Sequence, residues 1–243
     1  MKPLIGTSFK MNLTSTELTR YIEVLRPLIE PLTACDMFML PPFTAIWAAR
    51  ECLRGSRVVW GAQDVHHEAY GAHTGDISAP MLAELGCTFV EVGHSERRRD
   101  HGETDAAIAL KVKAVLEHGM TPILCVGEPT KGATASAVEY VTRQVYGGLK
   151  GIPGYQRAQV VIAYEPVWAI GVGSTAADPQ HVETMHAAIH DLLDGAKPRV
   201  IYGGSVDVTT AAPLLGQEHV DGLFVGRSAL DPVAFGAIAR IAR

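Results

Sequence analysis

Moving a proton between adjacent carbons needs a carboxylate to take it, an imidazole to donate to a carbonyl and a cation to meet the developing negative charge. The chain offers one of each directly behind a short apolar run: Phe9-Lys10-Met11-Asn12, Gly93-His94-Ser95-Glu96-Arg97-Arg98 and Glu165-Pro166-Val167-Trp168. Taken singly, a lysine or glutamate is usually a solvated surface charge, and a histidine is often satisfied inside a core. Three potential catalysts at three strand ends weaken that reading. Glu165 precedes proline, which pushes its backbone into the extended region and presents the carboxylate from the strand end. Ser95 and Glu96 read as the capped start of a short helix, whose positive end disfavours a proton on the neighbouring His94.

Two further strand ends are rich in glycine, Tyr202-Gly203-Gly204-Ser205 and Val225-Gly226-Arg227-Ser228. Backbone N–H groups approach an anion closely at such turns, so a phosphate site is expected there, with Lys10 adding formal charge. The segment from Ala169 to Ala176 contains a nominal G-x-G-x-x-A. It lies too far beyond its strand for a dinucleotide fingerprint and reads better as a lid, with Gly171 and Gly173 offering N–H groups. His186 and His190 stand four apart on one helix near His181 and Glu183; we read a solvated helix face, not a metal site. No metal and no cofactor are expected.

These groups need elements to hold them. Apolar, β-branched runs at residues 4–8, 35–40, 58–63, 88–92, 121–126, 160–164, 199–202 and 222–225 alternate with helical periodicity, for example at 16–29, 105–118, 135–149 and 179–193. The repeat is about 30 residues, the size of one βαβ element. Strands apolar on both faces suit a parallel sheet covered by helices, and eight equal units favour a single-domain (β/α)8 TIM barrel over residues 1–243. A doubly wound open sheet is the second possibility. The stretch at 64–78 interrupts the rhythm and, with His66, His67, Tyr70 and His73, reads as a binding or subunit-contact loop.

Composition limits the partners. A net charge of −5 and 47% apolar residues describe a packed globular chain with no broad cationic field for nucleic acid or an anionic membrane. Cys35, Cys52, Cys87 and Cys125 lack metal or disulfide spacing. With no signal-like start and no long apolar run, a cytoplasmic protein is expected.

Lys10-Met11-Asn12, Gly93-His94-Ser95-Glu96-Arg97-Arg98, Tyr164-Glu165-Pro166-Val167-Trp168-Ala169-Ile170-Gly171 and Tyr202-Gly203-Gly204-Ser205 together resemble the triosephosphate isomerase family along essentially the whole chain. The resemblance implies the family's well-known pairing of a glutamate base, Glu165, with a neutral histidine electrophile, His94. It further implies that Lys10 stabilises the enediolate and phosphate, with Glu96 in support. Gly171, Ser205, Gly226 and Arg227 would meet the phosphate. The 64–78 loop would reach into a partner subunit to form a homodimer, placing the partner's Thr74 near Lys10 and His94.

The chain also departs from the family pattern. Thr7-Ser8-Phe9-Lys10 stands where Gly-Asn-Trp-Lys is usual, so Ser8 replaces an asparagine at the reacting end. Ser174 occupies a usual lysine position, Asp207 a common asparagine, and Gly226-Arg227 replaces Gly-Gly. These forms resemble the family branch that isomerises erythrulose phosphates. The favoured substrates are therefore L-erythrulose 1-phosphate and D-erythrulose 4-phosphate, whose extra CH2OH needs room and a hydrogen-bond partner beside Ser8. The alternative pair is glyceraldehyde 3-phosphate and dihydroxyacetone phosphate. A catalytically silent phosphate-binding barrel is the third reading, opposed by the presence of Lys10, His94 and Glu165.

Overall fold

The computed structural model describes residues 1–171, 176–193 and 195–242. Each expected apolar run forms a strand: β1 Leu4–Ser8, β2 Asp36–Leu40, β3 Val58–Ala62, β4 Phe89–Val92, β5 Thr121–Val126, β6 Val161–Tyr164, β7 Arg199–Tyr202 and β8 Gly222–Val225. All neighbours pair in parallel, and β1 pairs with both β2 and β8. That last pairing closes the sheet into a (β/α)8 barrel and rules out the open doubly wound alternative. The third run ends at Ala62, one residue short of expectation. Gln63 turns its amide to donate to Lys10 O at 3.0 Å and Leu40 O at 2.9 Å, leaving the ladder to brace two neighbouring loops.

Helices pack outside because their sequences carry both caps and an apolar stripe. Thr14 and Glu17 cap Ser15–Ile29 reciprocally, and Leu18, Tyr21, Ile22, Leu25 and Ile29 face the barrel. Thr104 and Asp178 cap Asp105–Glu117 and Pro179–Leu192 through their side chains. In the latter helix one expectation fails. His186 is fully buried, edge-on to Tyr164, and shares a hydrogen bond of 3.2 Å with His219 O. The solvated-face reading misses it because this helix packs its His186 side onto the barrel, where the aromatic rings of β6 and β7 receive it.

Strand alternation sends one set of side chains into the barrel, where they form their own cluster: Leu4, Phe38, Leu40, Ile123, Cys125, Val161, Ala163, Ile201 and Phe224, with Val59 and Phe89. Phe38 is its hub, with ring centroids 5.0 Å from Phe89 and 5.4 Å from Phe224. Gly6 makes this possible, since a Cβ there would lie 2.0 Å from the Phe38 ring. Truncating Phe38 to alanine would cost about 3–5 kcal/mol through the cavity left behind.

Next to the barrel rim, Asp64 and Glu103 meet Arg97 and Lys111. Lys111 Nζ lies 2.7 Å from Asp64 and 2.6 Å from Glu103, while Arg97 lies 2.8 Å and 2.6 Å from the same two carboxylates. This network ties the base of the 64–78 loop to the short helix after His94. All four cysteines are unpaired, and among the described residues no helix is long and apolar enough to cross a membrane.

Candidate active site

Lys10 follows β1 in a left-handed backbone conformation, φ 51°, which a lysine adopts at a cost and which the Gln63 bond to its carbonyl holds in place. Phe9 anchors the same turn from beneath, buried and edge-on to Tyr21 at 5.1 Å. The ammonium is thereby aimed at Glu96, with Nζ 2.7 Å from Oε1. Burial pushes Glu96 up, but the Lys10 bond and the nearby His94 hold it below the ordinary carboxylate range on balance.

His94 ends β4 after Gly93, whose φ of 73° suits glycine. The structure corrects the reading of the helix start here. His94 is itself the N-cap of Ser95–Asp100, its Nδ1 accepting from Glu96 N at 3.2 Å. A ring nitrogen that accepts carries no proton, so the proton of the neutral ring sits on Nε2. Burial, reinforced by the Lys10, Arg99 and Arg97 charges, holds the imidazole down at about 4. The ring is therefore neutral near pH 7, with Nε2–H as a donor.

Glu165 leaves β6 with its N–H donating to Val126 O at 2.7 Å, and its carboxylate is buried. Oε2 lies 3.3 Å from His94 Nε2 without hydrogen-bond alignment, and among the described residues it has no hydrogen-bond partner. Gly203 at the end of the neighbouring strand β7 is required for this packing, because a Cβ there would sit 2.6 Å from Glu165 Cγ. Burial first, and then the negative charge of Glu91, raise Glu165 well above the ordinary carboxylate range. Such a carboxyl is a stronger base once ionised.

One cavity of about 680 Å³ unites the groups that the sequence scatters. Ser8, Lys10, His94, Glu96 and Glu165 line one part, and Gly171, Ser205, Gly226 and Arg227 line another. Ser205 donates to Ala169 O through both its backbone and its hydroxyl, at 2.9 Å and 2.8 Å. Upstream of the expected lid, Trp168 and Tyr164 anchor on Glu128 Oε1 at 2.7 Å and 3.1 Å. Gly173 and Ser174 lie outside the described residues. Thr74 is exposed in the 64–78 loop and lines no part of this cavity.

Sequence reasoning missed Glu91. This buried carboxylate lines the cavity from β4, accepts from Ser8 Oγ at 2.7 Å and receives the Cys125 thiol at 3.8 Å. Its signal is a lone charge within the apolar strand Phe89-Val90-Glu91-Val92. By distance alone, a metal ion could be held by Glu91, His94 and Glu165, by His66, His73 and Asp76, or by Glu183, Glu218 and His219. In the first set a bound ion would occupy the nitrogen and oxygen on which the expected proton transfer depends.

Comparison with known proteins agrees with this geometry over nearly the full length. The family model described as triosephosphate isomerase matches residues 3–242. The triosephosphate isomerases of Thermus thermophilus and Saccharopolyspora erythraea are each 44% identical to this chain, covering 98% and 99% of it and 98% and 97% of their own lengths. The crystal structure of triosephosphate isomerase from Bartonella henselae superposes with a TM-score of 0.88 at 33% identity, covering 99% of both chains.

Proposed function

This chain belongs to the triosephosphate isomerase family, and from that premise we propose how its cavity works. The enzyme is an isomerase, an intramolecular oxidoreductase of sugar phosphates, and the reaction we assign is proton transfer through an enediolate without a cofactor. The observation that carries this reading is the convergence of a neutral Nε2–H donor and a buried carboxylate oxygen, 3.3 Å apart, in the cavity that Lys10 lines. Glu165 removes the proton from the reacting carbon. His94 donates to the adjacent carbonyl oxygen, and Lys10, oriented by Glu96, meets the negative charge that forms there. Gly171, Ser205, Gly226 and Arg227 hold the phosphate. No charge has to move far, so little reorganisation accompanies the step.

The relatives' names favour glyceraldehyde 3-phosphate and dihydroxyacetone phosphate as the substrate pair. A four-carbon pair, L-erythrulose 1-phosphate and D-erythrulose 4-phosphate, is favoured by a different observation: Ser8, at the reacting end, is bonded to a buried carboxylate. Steady-state assays on both pairs test the proposal. Turnover of either supports proton transfer at this site, and turnover of neither rejects it. We further expect a cytoplasmic homodimer formed through the 64–78 loop, with Thr74 of each copy supporting its partner's site. Sedimentation of the intact protein at a single monomeric mass, with full activity, would reject that assembly.

A further inference from the structure

Glu91 occupies a place where barrels ordinarily carry branched apolar side chains. Along β4, Phe89 points into the inner cluster of the barrel, and Glu91, two residues on, points the same way at the next level towards the rim. The cavity floor is therefore polar where the fold alone would make it apolar. The carboxylate is 2% exposed and, among the described residues, takes part in no ion pair; Lys10, the cation lining the same cavity beside His94, is bonded to Glu96. Its two oxygens are served unequally: Oε2 accepts the Ser8 hydroxyl at 2.7 Å, whereas Oε1 receives a thiol at 3.8 Å. A thiol is a weak donor. Burial also keeps that thiol protonated, so Cys125 is not a competing anion. Glu91 thus holds strong acceptor capacity that its described neighbours do not fill.

The position of that capacity relative to the reacting atoms decides what fills it. One donor or acceptor atom each from Glu91, His94 and Glu165 all lie within 4.8 Å of one another. With the substrate carbonyl on His94 and the reacting carbon at Glu165, Glu91 is the third polar group of the same cluster and lies within reach of a further substituent on that carbon. The phosphate-binding loops follow β6, β7 and β8, so the phosphorylated end points away from this floor.

We propose that Glu91, held by Ser8, is a subsite for a hydroxyl group borne on the substituent of the reacting carbon, and that it selects phosphorylated ketoses carrying CH2OH at that carbon. This rests on the proton-transfer reading of the same cavity and names its substrate class. When Glu91 is ionised, the substrate hydroxyl donates to its carboxylate, a charge-assisted bond in a site shielded from water. Dihydroxyacetone phosphate has hydrogen in the corresponding place and leaves the carboxylate short of a donor. The short Ser8 side chain adds room for the extra carbon.

The test compares the wild type with E91V and E91Q in two ways. The first is kcat/KM for L-erythrulose 1-phosphate and for dihydroxyacetone phosphate. The second is calorimetric binding of two unreactive probes, erythritol 4-phosphate and glycerol 3-phosphate. In E91V the four-carbon to three-carbon ratio is expected to fall about tenfold or more in both measurements, the loss of one hydrogen bond to a charged group. E91Q retains an acceptor oxygen, so its ratio falls less, and it carries the test should E91V not fold. Ratios unchanged in the variants, or a wild type that turns over only the triose, would overturn the proposal. A wild type that turns over neither substrate yet binds erythritol 4-phosphate preferentially through Glu91 would support the subsite and reject the isomerase reading instead.

Discussion

Asp64, Arg97, Glu103 and Lys111 bring two carboxylates and two cations together beyond His94, each cation 2.6–2.8 Å from both carboxylates. Glu91 and Glu165, beside His94, bring two buried carboxylates together, and among the described residues no lysine or arginine is bonded to either. Both clusters remove charge from water, but only the first offsets the loss by pairing. The paired network is a fastening between the loop at 64–78 and the helix that His94 caps. The unpaired floor shifts ionisation instead: burial first, and then repulsion from neighbouring carboxylates, raise both carboxyls, making Glu165 a stronger base once ionised and leaving ionised Glu91 in need of a donor. The two regions teach that the sign of neighbouring charges separates burial that fastens the fold from burial that shifts ionisation.

The largest effect should come from breaking the floor at its reactive end. Glu165→Gln preserves shape and removes the base, so turnover should fall by ~10²–10⁴, with the unfolding midpoint unchanged or raised. Wild-type rates in single-turnover assays would remove Glu165 from the mechanism. Breaking the network instead should spare chemistry and damage the fold. Lys111→Met leaves Asp64 and Glu103 sharing one arginine and should cost about 3–5 kcal/mol, read from urea unfolding; a loss below about 1 kcal/mol would make the network a bystander.

A third measurement sharpens the contrast through pH. Burial, opposed by Ser8 and Lys10 and assisted by Glu96, pushes Glu91 up from 4.5 to about 7. Lys10, Glu96, His94, Cys125 and Glu165 are the titratable groups around it. A folded-state value above the unfolded one means that the native protein binds the proton more tightly. Stability should therefore fall as pH rises from about 4.5 to about 7, by on the order of 3 kcal/mol in total. Glu91→Gln should abolish that part of the slope and move the acid limb of kcat/KM to lower pH, because Glu165 loses a negative neighbour. Parallel stability curves for variant and wild type would contradict this account. The smallest effect is expected for Ser8→Asn, which narrows the floor but keeps a polar side chain. Preference should shift severalfold towards the triose, by about 1 kcal/mol or less, and an unchanged substrate ratio would count against the volume argument.

Much of this molecule is legible in the order of its amino acids. The eight strands, the capped helices and the placement of Lys10, His94 and Glu165 behind strand ends all follow from local pattern, and those three side chains line one cavity. What local pattern leaves unread is non-local. His186 reads as solvated because helical spacing cannot say which neighbour a face will meet. Glu91 goes unread within its strand because its partner Ser8 is 83 residues away. His94 replaces Ser95 as the N-cap because its imidazole, held at the strand end, reaches the Glu96 N–H first.

By itself, then, the sequence determined the alternation of strand and helix, the turns that end them and the chemical kinds of group at the rim. Those properties depend on residues within a turn or two of one another, where sterics, capping and apolar period act directly. Only closure of the barrel decided that Ser8, Glu91 and Glu165 would share one cavity, with the Cys125 thiol against Glu91. Closure also decided that their ionisation would be coupled, since dielectric and charge at a buried site are set by every strand that surrounds it and not by the strand that carries the residue.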